Sequence, residues 1–583
     1  MAQTVSDVLV DILHKWNVDI VFGMPGDGIN GVFEALRKRK DDIRFVQVRH
    51  EESAAFMAAG YAKYTGKLGV CVVTAGPGGI HLLNGLYDAK FDGAPVLAIT
   101  GAQFHDLTNQ NGQQDVPLDM IFQDVSEYNV RVMGPAHIEN AMHLACRTAL
   151  GKKGVAHVTI PVDIQSMPFK NSGTQRNVPR HMTNVFAERR PVPDEESIRA
   201  AANILNDGKR IAILAGRGAL GAGNELEDIA ETLQAPIIKA LLGKAAVPDD
   251  SPYTTGGIGL LGTKPTYEVI KDCDTLLIVG SSFPYMEFYP KPGQAKCVQI
   301  DSDPTRIGLR YPVDEGLTGD SRTTLKALKG HLKKNRHKKF LKEAQKSMEE
   351  WNDLMKERGT RNDKPMKPQV LAWQLGQKLK DDAIVACDSG TITVWWARHI
   401  PVKKGQMHTV SGTMASMACG LPYAIGAQAE WPERQVVALV GDGGFSMLMA
   451  DLVTAVKYKL PVKIFVVKNN SLAMIKWEQM VFGGNPEYGC ELEPIDFAAF
   501  ARACGAAGYT VDDPEKVPGV IDDALNNPGP VVVEAVVDPY EPPYPAHITK
   551  KQALKMAEAL AKGEPNREKI AWTMLSDKVR EMI

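Results

Sequence analysis

The sequence predicts an α/β protein of several domains, and three observations carry that expectation. At 583 residues the chain is long enough for roughly three or four domain equivalents of about 150 residues each. Short apolar runs ending in Gly, Asp or Asn alternate with amphipathic stretches of helical length. The runs are DIVFG, LGVCVVTAG and APVLAIT, then RIAILAG, TLLIVGS and AKCVQID, then AIVACDSG, QVVALVGDGG and PVKIFVVKNN. Strands that are apolar on both faces and separated by helices belong to parallel sheets with helices on each side. Finally, Pro-rich and polar stretches interrupt the series at about 166–195 and about 325–368. The expected division is 1–170, 190–335 and 366–540, each with a mainly parallel sheet, followed by a helical tail over 541–583.

Composition bounds the function. With 44% hydrophobic and 23% charged residues the chain builds a sizeable core and is not disordered. Lys plus Arg (67) nearly cancels Asp plus Glu (69), so no global field recruits nucleic acid or an anionic bilayer. The eight cysteines lie far apart, with no CxxC pair and no Cys/His cluster at zinc spacing, and read as buried thiols in a reducing compartment. The opening MAQTVSDVLVDILHKW carries Asp7 and Asp11 where a secretory signal needs uninterrupted apolar residues, and no run of about 18 apolar residues occurs. A cytoplasmic protein is expected.

Eight basic residues between Lys326 and Lys342, with no acid among them, lack the interleaved aromatics of a nucleic-acid surface and read as a solvated helix between domains. In the tail, Ile570, Met574, Leu575, Val579 and Met582 fall near helical spacing. Because the polar face is of mixed sign, docking on the body is favoured over peripheral contact with the inner face of the cell membrane.

The third segment holds the most chemistry. Strand QVVALV runs into Gly441-Asp442-Gly443-Gly444, and after a helix and a further strand the chain reaches Asn469-Asn470-Ser471. Neighbouring strand ends of a parallel sheet face one edge, where ligands of such folds bind. An Asp, an Asn and a nearby backbone carbonyl supply hard oxygens suited to an octahedral Mg²⁺ that shares a diphosphate. The glycines let the backbone approach phosphate without a Cβ in the way.

This pair of motifs resembles the signature of thiamine diphosphate (ThDP) enzymes, and other stretches agree over residues 1 to about 540. Val21-Phe22-Gly23-Met24-Pro25-Gly26 is similar to the first strand and loop of that family's pyrimidine-binding domain. Arg49-His50-Glu51-Glu52 is similar to the start of the helix carrying its activating glutamate. Ala75-Gly76-Pro77-Gly78 with Asn84-Gly85, and Ser416-Met417-Ala418-Cys419-Gly420-Leu421-Pro422, resemble further family segments. The resemblance implies that Glu51 hydrogen-bonds the aminopyrimidine of ThDP, that Met417 holds the cofactor bent, and that Asp442, Asn469 and the carbonyl of Ser471 hold Mg²⁺. Pro25, Gly26, Thr74, Gly76, Asn84, Thr391, Ser416, Gly441, Gly443, Gly444, Leu472 and Ile475 are the further positions it assigns to ThDP. Glu51 of one subunit would serve the ThDP held by Asp442 of another, making a dimer the minimal active unit and a homotetramer the expected assembly.

In the middle segment, Gly216-Arg217-Gly218-Ala219-Leu220-Gly221 follows strand IAILAG, and the next strand offers Lys239 where an NAD site would carry an acid. The segment resembles the FAD-binding domain of pyruvate oxidases and acetolactate synthases. That resemblance assigns Gly216, Gly218, Ile258, Gly259, Leu260, Leu261, Ser281, Phe283, Pro284, Tyr285, Asp301 and Asp303 to FAD. Where acetolactate synthases carry a Trp and an Arg for their second ketoacid, this chain has Glu478 and Ser282. Glu478, one turn after Ile475, resembles the acid over the substrate of pyruvate oxidases. Gln114 matches the Gln of their Phe-Gln-Glu, with Gln113 replacing the aromatic ring. The implied activity is oxidative decarboxylation of a small 2-ketoacid such as pyruvate, with electrons passing through FAD to quinone or oxygen. The alternatives are a carboligase of the acetolactate synthase type with structural FAD, and a catalytically silent nucleotide-binding relative.

Overall fold

The computed structural model describes residues 3–169, 173–178, 180–187, 190–545 and 547–580, with side chains of 579 and 580 left aside. Met582 therefore lies outside the described residues, as does the side chain of Val579.

Three parallel sheets of six strands each form the body. The first joins β1 (Ile20–Gly23), β2 (Arg44–Gln47), β3 (Gly69–Val73), β4 (Val96–Ala102), β5 (Tyr128–Arg131) and β6 (Val155–Pro161) in the order β2-β1-β3-β4-β6-β5. The second joins β7 (Ile211–Ala215), β8 (Ile237–Lys239), β9 (Thr254–Gly257), β10 (Thr275–Val279), β11 (Lys296–Asp301) and β12 (Glu315–Thr318) in the order β12-β11-β10-β7-β8-β9. The third joins β13 (Ile384–Cys387), β14 (Met407–Thr409), β15 (Val436–Gly441), β16 (Lys463–Lys468), β17 (Ala507–Val511) and β18 (Val531–Val536) in the order β14-β13-β15-β16-β18-β17. Every apolar run singled out in the sequence is a strand. Central strands such as β3, β7 and β13 are buried along their whole length, which is why their residues do not alternate.

The first and third sheets meet through two helices, Glu51–Thr65 and Gly420–Glu430, whose small residues let the backbones touch. A Cβ added at Gly60 would come within 2.8 Å of Tyr423 Cα, and one at Gly426 within 2.5 Å of the Met57 carbonyl oxygen. A buried polar knot pins the same contact: Lys63 Nζ lies 2.8 Å from Asp88, 2.7 Å from Asp92 and 2.6 Å from the Tyr423 hydroxyl. Asp92 also accepts the backbone N–H groups of Gly412 and Thr413.

The basic stretch 326–342 is not one helix: it runs from the end of the helix Ser321–Lys329 through non-helical residues 330–338 into the helix Lys339–Gly359, where Phe340, Leu341, Trp351 and Met355 are buried. The tail forms helices Lys550–Ala561 and Arg567–Arg580. It docks on the body, where Met556, Ala559 and Ile570 pack with Ala473, Trp477 and Met480, and Met574 rests against them. Arg361 anchors Asp577 at 2.6 Å. Leu575, expected on the apolar stripe, is instead exposed beside Trp572. No helix among the described residues is long and apolar enough to cross a membrane.

Candidate active site

A cavity of about 1610 Å³ opens where loops following β7 to β12 face loops following β13 to β16, with Thr549, Gln552 and Lys555 of the tail on its rim. This is the carboxyl edge of two parallel sheets, the edge at which such folds bind ligands.

At the third-sheet end, Gly441 closes β15 and Asp442 opens the helix Asp442–Leu448. Asp442 Oδ1 accepts the N–H of Gly443 at 2.9 Å, and Oδ2 accepts those of Asn469 at 3.1 Å and Asn470 at 2.6 Å. Asn470 takes a left-handed φ of 52°, so the chain leaving β16 curls around the carboxylate. Burial raises the Asp442 pKa, and the three N–H groups oppose that rise. Asn469 Oδ1 faces the N–H of Ser471 at 3.1 Å.

The residues here fit a metal-held diphosphate on their own geometry. The buried hydroxyls of Ser471 and Ser389 have no hydrogen-bond partner, and a Cβ added at Gly441 would meet nothing within 4 Å, leaving open space beside Asp442. A buried carboxylate after β15, with an amide oxygen and a backbone carbonyl after the neighbouring β16, are the hard donors that Mg²⁺ takes. Gly441, Asp442, Gly443, Gly444, Asn469, Ser471, Leu472 and Thr391 all line this end.

Met417 also reaches the cavity, and its Cε lies 3.4 Å from a Cβ added at Gly443. It is flanked by Ala415 and Ala418, both left-handed at φ 52° and 73°, a backbone shape that ordinary residues adopt at a cost. The support beneath it is Asp388, which sequence reasoning missed. Asp388 is fully buried after β13 and accepts the N–H groups of Ser389 at 2.8 Å and Ala418 at 3.2 Å. A Cβ at Gly444 would sit 2.1 Å from its Oδ2, so the fourth residue of the Gly-Asp-Gly-Gly run must be glycine for packing. Burial pushes the Asp388 carboxyl up to about 7. The one available signal was an acid closing an apolar strand in ACDSG.

Ile475 and Glu478 share the helix Ala473–Glu478 and both line the cavity; that helix runs into a π-helical turn, Gln479–Gly483. π-turns recur at functional sites. Burial raises the Glu478 pKa.

At the second-sheet end, Ile258, Gly259, Leu260, Leu261, Ser281, Phe283, Pro284, Tyr285, Asp301 and Asp303 all line the same cavity, as does Gly218. Gly216 does not. A Cβ there would fall 2.6 Å from Ser281 Cα, and one at Gly218 2.8 Å from Gly280 Cα, so these glycines serve the close packing of two loops. Lys239 is buried and turned away, paired with Asp249.

The first-sheet residues form a separate cluster. Glu51 is the first residue of the helix Glu51–Thr65, 8% exposed, with Oε2 2.8 Å from His81 Nδ1. His81 in turn stacks on His50 at 4.5 Å. The Thr74 hydroxyl accepts the Gly28 N–H at 3.1 Å and fills the space a side chain at Gly26 would need. Gly76 packs on Gln114, each at a left-handed φ of 59°. Asn84 donates to Glu52 at 2.6 Å and to Ser416 of the third-sheet region at 2.9 Å. None of Pro25, Gly26, Glu51, Thr74, Gly76, Asn84, Gln114 or Ser416 lines the large cavity of the same chain.

Comparison with known proteins agrees with this layout. Residues 3–124, 198–328 and 388–535 match the N-terminal TPP binding, central and C-terminal TPP binding domains of thiamine pyrophosphate enzymes. The chain belongs to the thiamine pyrophosphate enzyme family. It is 40% identical over 580 residues, 100% of this chain and 99% of the relative, to the putative thiamine pyrophosphate-containing protein YdaP of Bacillus subtilis. It is 33% identical to a pyruvate oxidase of Lactiplantibacillus plantarum over 91% of this chain and 88% of that one. A probable acetolactate synthase large subunit of Methanocaldococcus jannaschii is 28% identical over 92% of each chain.

Proposed function

We propose that the protein is a ThDP-, Mg²⁺- and FAD-dependent oxidoreductase that decarboxylates a small 2-ketoacid, most simply pyruvate. The observation that supports this reading is the single cavity. Residues fitted to a magnesium diphosphate and residues resembling a flavin site line one continuous space, so the two cofactors would share one cavity.

In this reading Asp442, Asn469 and the Ser471 carbonyl hold Mg²⁺, with Ser389 and Thr391 facing the diphosphate. Met417, braced by Asp388, supports the body of the cofactor. When bound, ThDP would supply the carbon nucleophile and electron sink, and FAD would supply the electron acceptor between the ketoacid and quinone or oxygen. Glu51, delivered from a second subunit, holds a proton on the aminopyrimidine nitrogen. Its 8% exposure keeps that hydrogen bond weakly screened. Glu478, its pKa raised by burial, stands over the ketoacid and is poised to hold a proton near the carboxylate being lost. The protein works as a homodimer or a tetramer of two such pairs.

A carboligase of the acetolactate synthase type is the second reading, favoured by the 28% identity to a probable acetolactate synthase across 92% of the chain. The absorbance spectrum of the purified protein, recorded anaerobically before and after adding pyruvate, separates the two. Flavin absorbance that bleaches is the result expected. Acetolactate formation without bleaching would overturn the oxidative reading.

A further inference from the structure

Arg398 joins three walls of the cavity that no sequence motif connects. It is the penultimate residue of the nine-residue helix Thr391–His399, whose first residue lines the diphosphate end. Its Nε donates to the carbonyls of Leu261 and Gly262 at 3.1 Å each, and Nη2 donates to that of Leu260 at 2.9 Å. Nη1 donates to the carbonyl of Tyr544. Leu260 and Leu261 form the second-sheet wall, while Tyr544 directly precedes Pro545, the point at which the chain enters the tail side of the cavity. Tyr267 stacks on His547 at 4.6 Å and closes the same seam from the other side.

Four carbonyl acceptors spread around one side chain suit a guanidinium, whose donors fan out in a plane, and do not suit a lysine, whose ammonium is a point charge. Burial and the nearby Arg358 lower its pKa to about 9; the carbonyl dipoles oppose that fall, as does its place at the carboxyl end of its own helix, where a cation is favoured. Removing it would take this donor from four carbonyls, that of buried Gly262 among them.

We propose that Arg398 is a positioning residue: it clasps the loop Ile258–Gly262 and the entrance to the tail at a fixed distance from Thr391, so that dinucleotide binding at one end of the cavity and order in the tail are coupled. This rests on the reading of the second-sheet end as a flavin site. Arg398→Lys and Arg398→Met test it through FAD affinity, ThDP affinity and backbone amide exchange. Both variants are expected to bind FAD about tenfold more weakly or worse, with ThDP affinity in Mg²⁺ within about twofold of wild type. Amides of 258–262 and those of Glu541 and Tyr544, the two residues of 541–545 that are not proline, are expected to exchange faster together. In the wild type, saturating FAD is expected to slow exchange in both segments, a measurement that needs no variant to fold. FAD affinity and exchange unchanged in Arg398→Lys would overturn the clasp, as would FAD protecting the loop alone in the wild type. If the wild type takes up no FAD, the flavin reading falls by itself. Ligand-free exchange then decides the clasp: faster exchange of both segments in Arg398→Lys supports it, and unchanged exchange overturns it.

Discussion

At the carboxyl-terminal end of the molecule, Asp442, Asn469 and Ser471 converge on one cavity wall and leave open space and unpartnered hydroxyls there. At the amino-terminal end, Glu51, Thr74, Gly76 and Gln114 converge on one another but on no part of that cavity. Both regions sit at the carboxyl edge of a six-stranded parallel sheet, and both draw their residues from the loops there. The difference lies in completeness. One half-site contains its own ligand chemistry, whereas the other presents an acid that is held by His81 and does not reach the large cavity of its own chain. In the arrangement proposed above, a second copy of the chain would finish it.

Three substitutions sharpen that contrast, in falling order of effect. Glu51→Gln is expected to lower turnover by about a hundredfold or more, while the affinity for ThDP, measured by fluorescence quenching, stays within a few-fold of wild type. A large loss of affinity would place Glu51 in cofactor retention rather than activation. Asp442→Asn is expected to do the reverse, weakening Mg²⁺-dependent ThDP binding by about tenfold or more and restoring much of the turnover at saturating cofactor. Asp388→Asn acts through pH. The Asp388 pKa is raised from 3.8 to about 7 in the folded protein, so its contribution to stability is fully present below the ordinary carboxyl value and is lost as pH rises through about 7. The thermal midpoint of the cofactor-free wild type is expected to fall across that window, and the variant's profile should lack that component. Parallel profiles would show that Asp388 is ionised throughout.

The fold class and the strands were legible because burial on both faces of a parallel strand leaves a contiguous apolar run, which is local information. The Gly-Asp-Gly-Gly and Asn-Asn-Ser loops were legible for the same reason: each directly follows such a run. What escaped notice was non-local. Asp388 gains its role from Gly444 and Ala418, and Arg398 from Leu260 and Tyr544, contacts made across long stretches of sequence. Gly216 and Gly218, assigned to FAD by resemblance, also pack closely against Ser281 and Gly280, a contact that pattern alone does not reveal. The hydrogen bond of His81 to Glu51 at 2.8 Å is likewise a contact between residues 30 apart in the sequence.

The central claim is that the acid of one chain completes the diphosphate site of another. Co-expressing Glu51→Gln and Asp442→Asn chains, each of low activity alone at limiting ThDP, tests it most directly. Random pairing into two-fold dimers should give roughly a quarter of all sites an intact Glu51 and an intact Asp442 from different chains. Turnover at limiting ThDP is therefore expected to recover to about that fraction of wild type. Recovery absent from mixed dimers that are shown to form would contradict the claim.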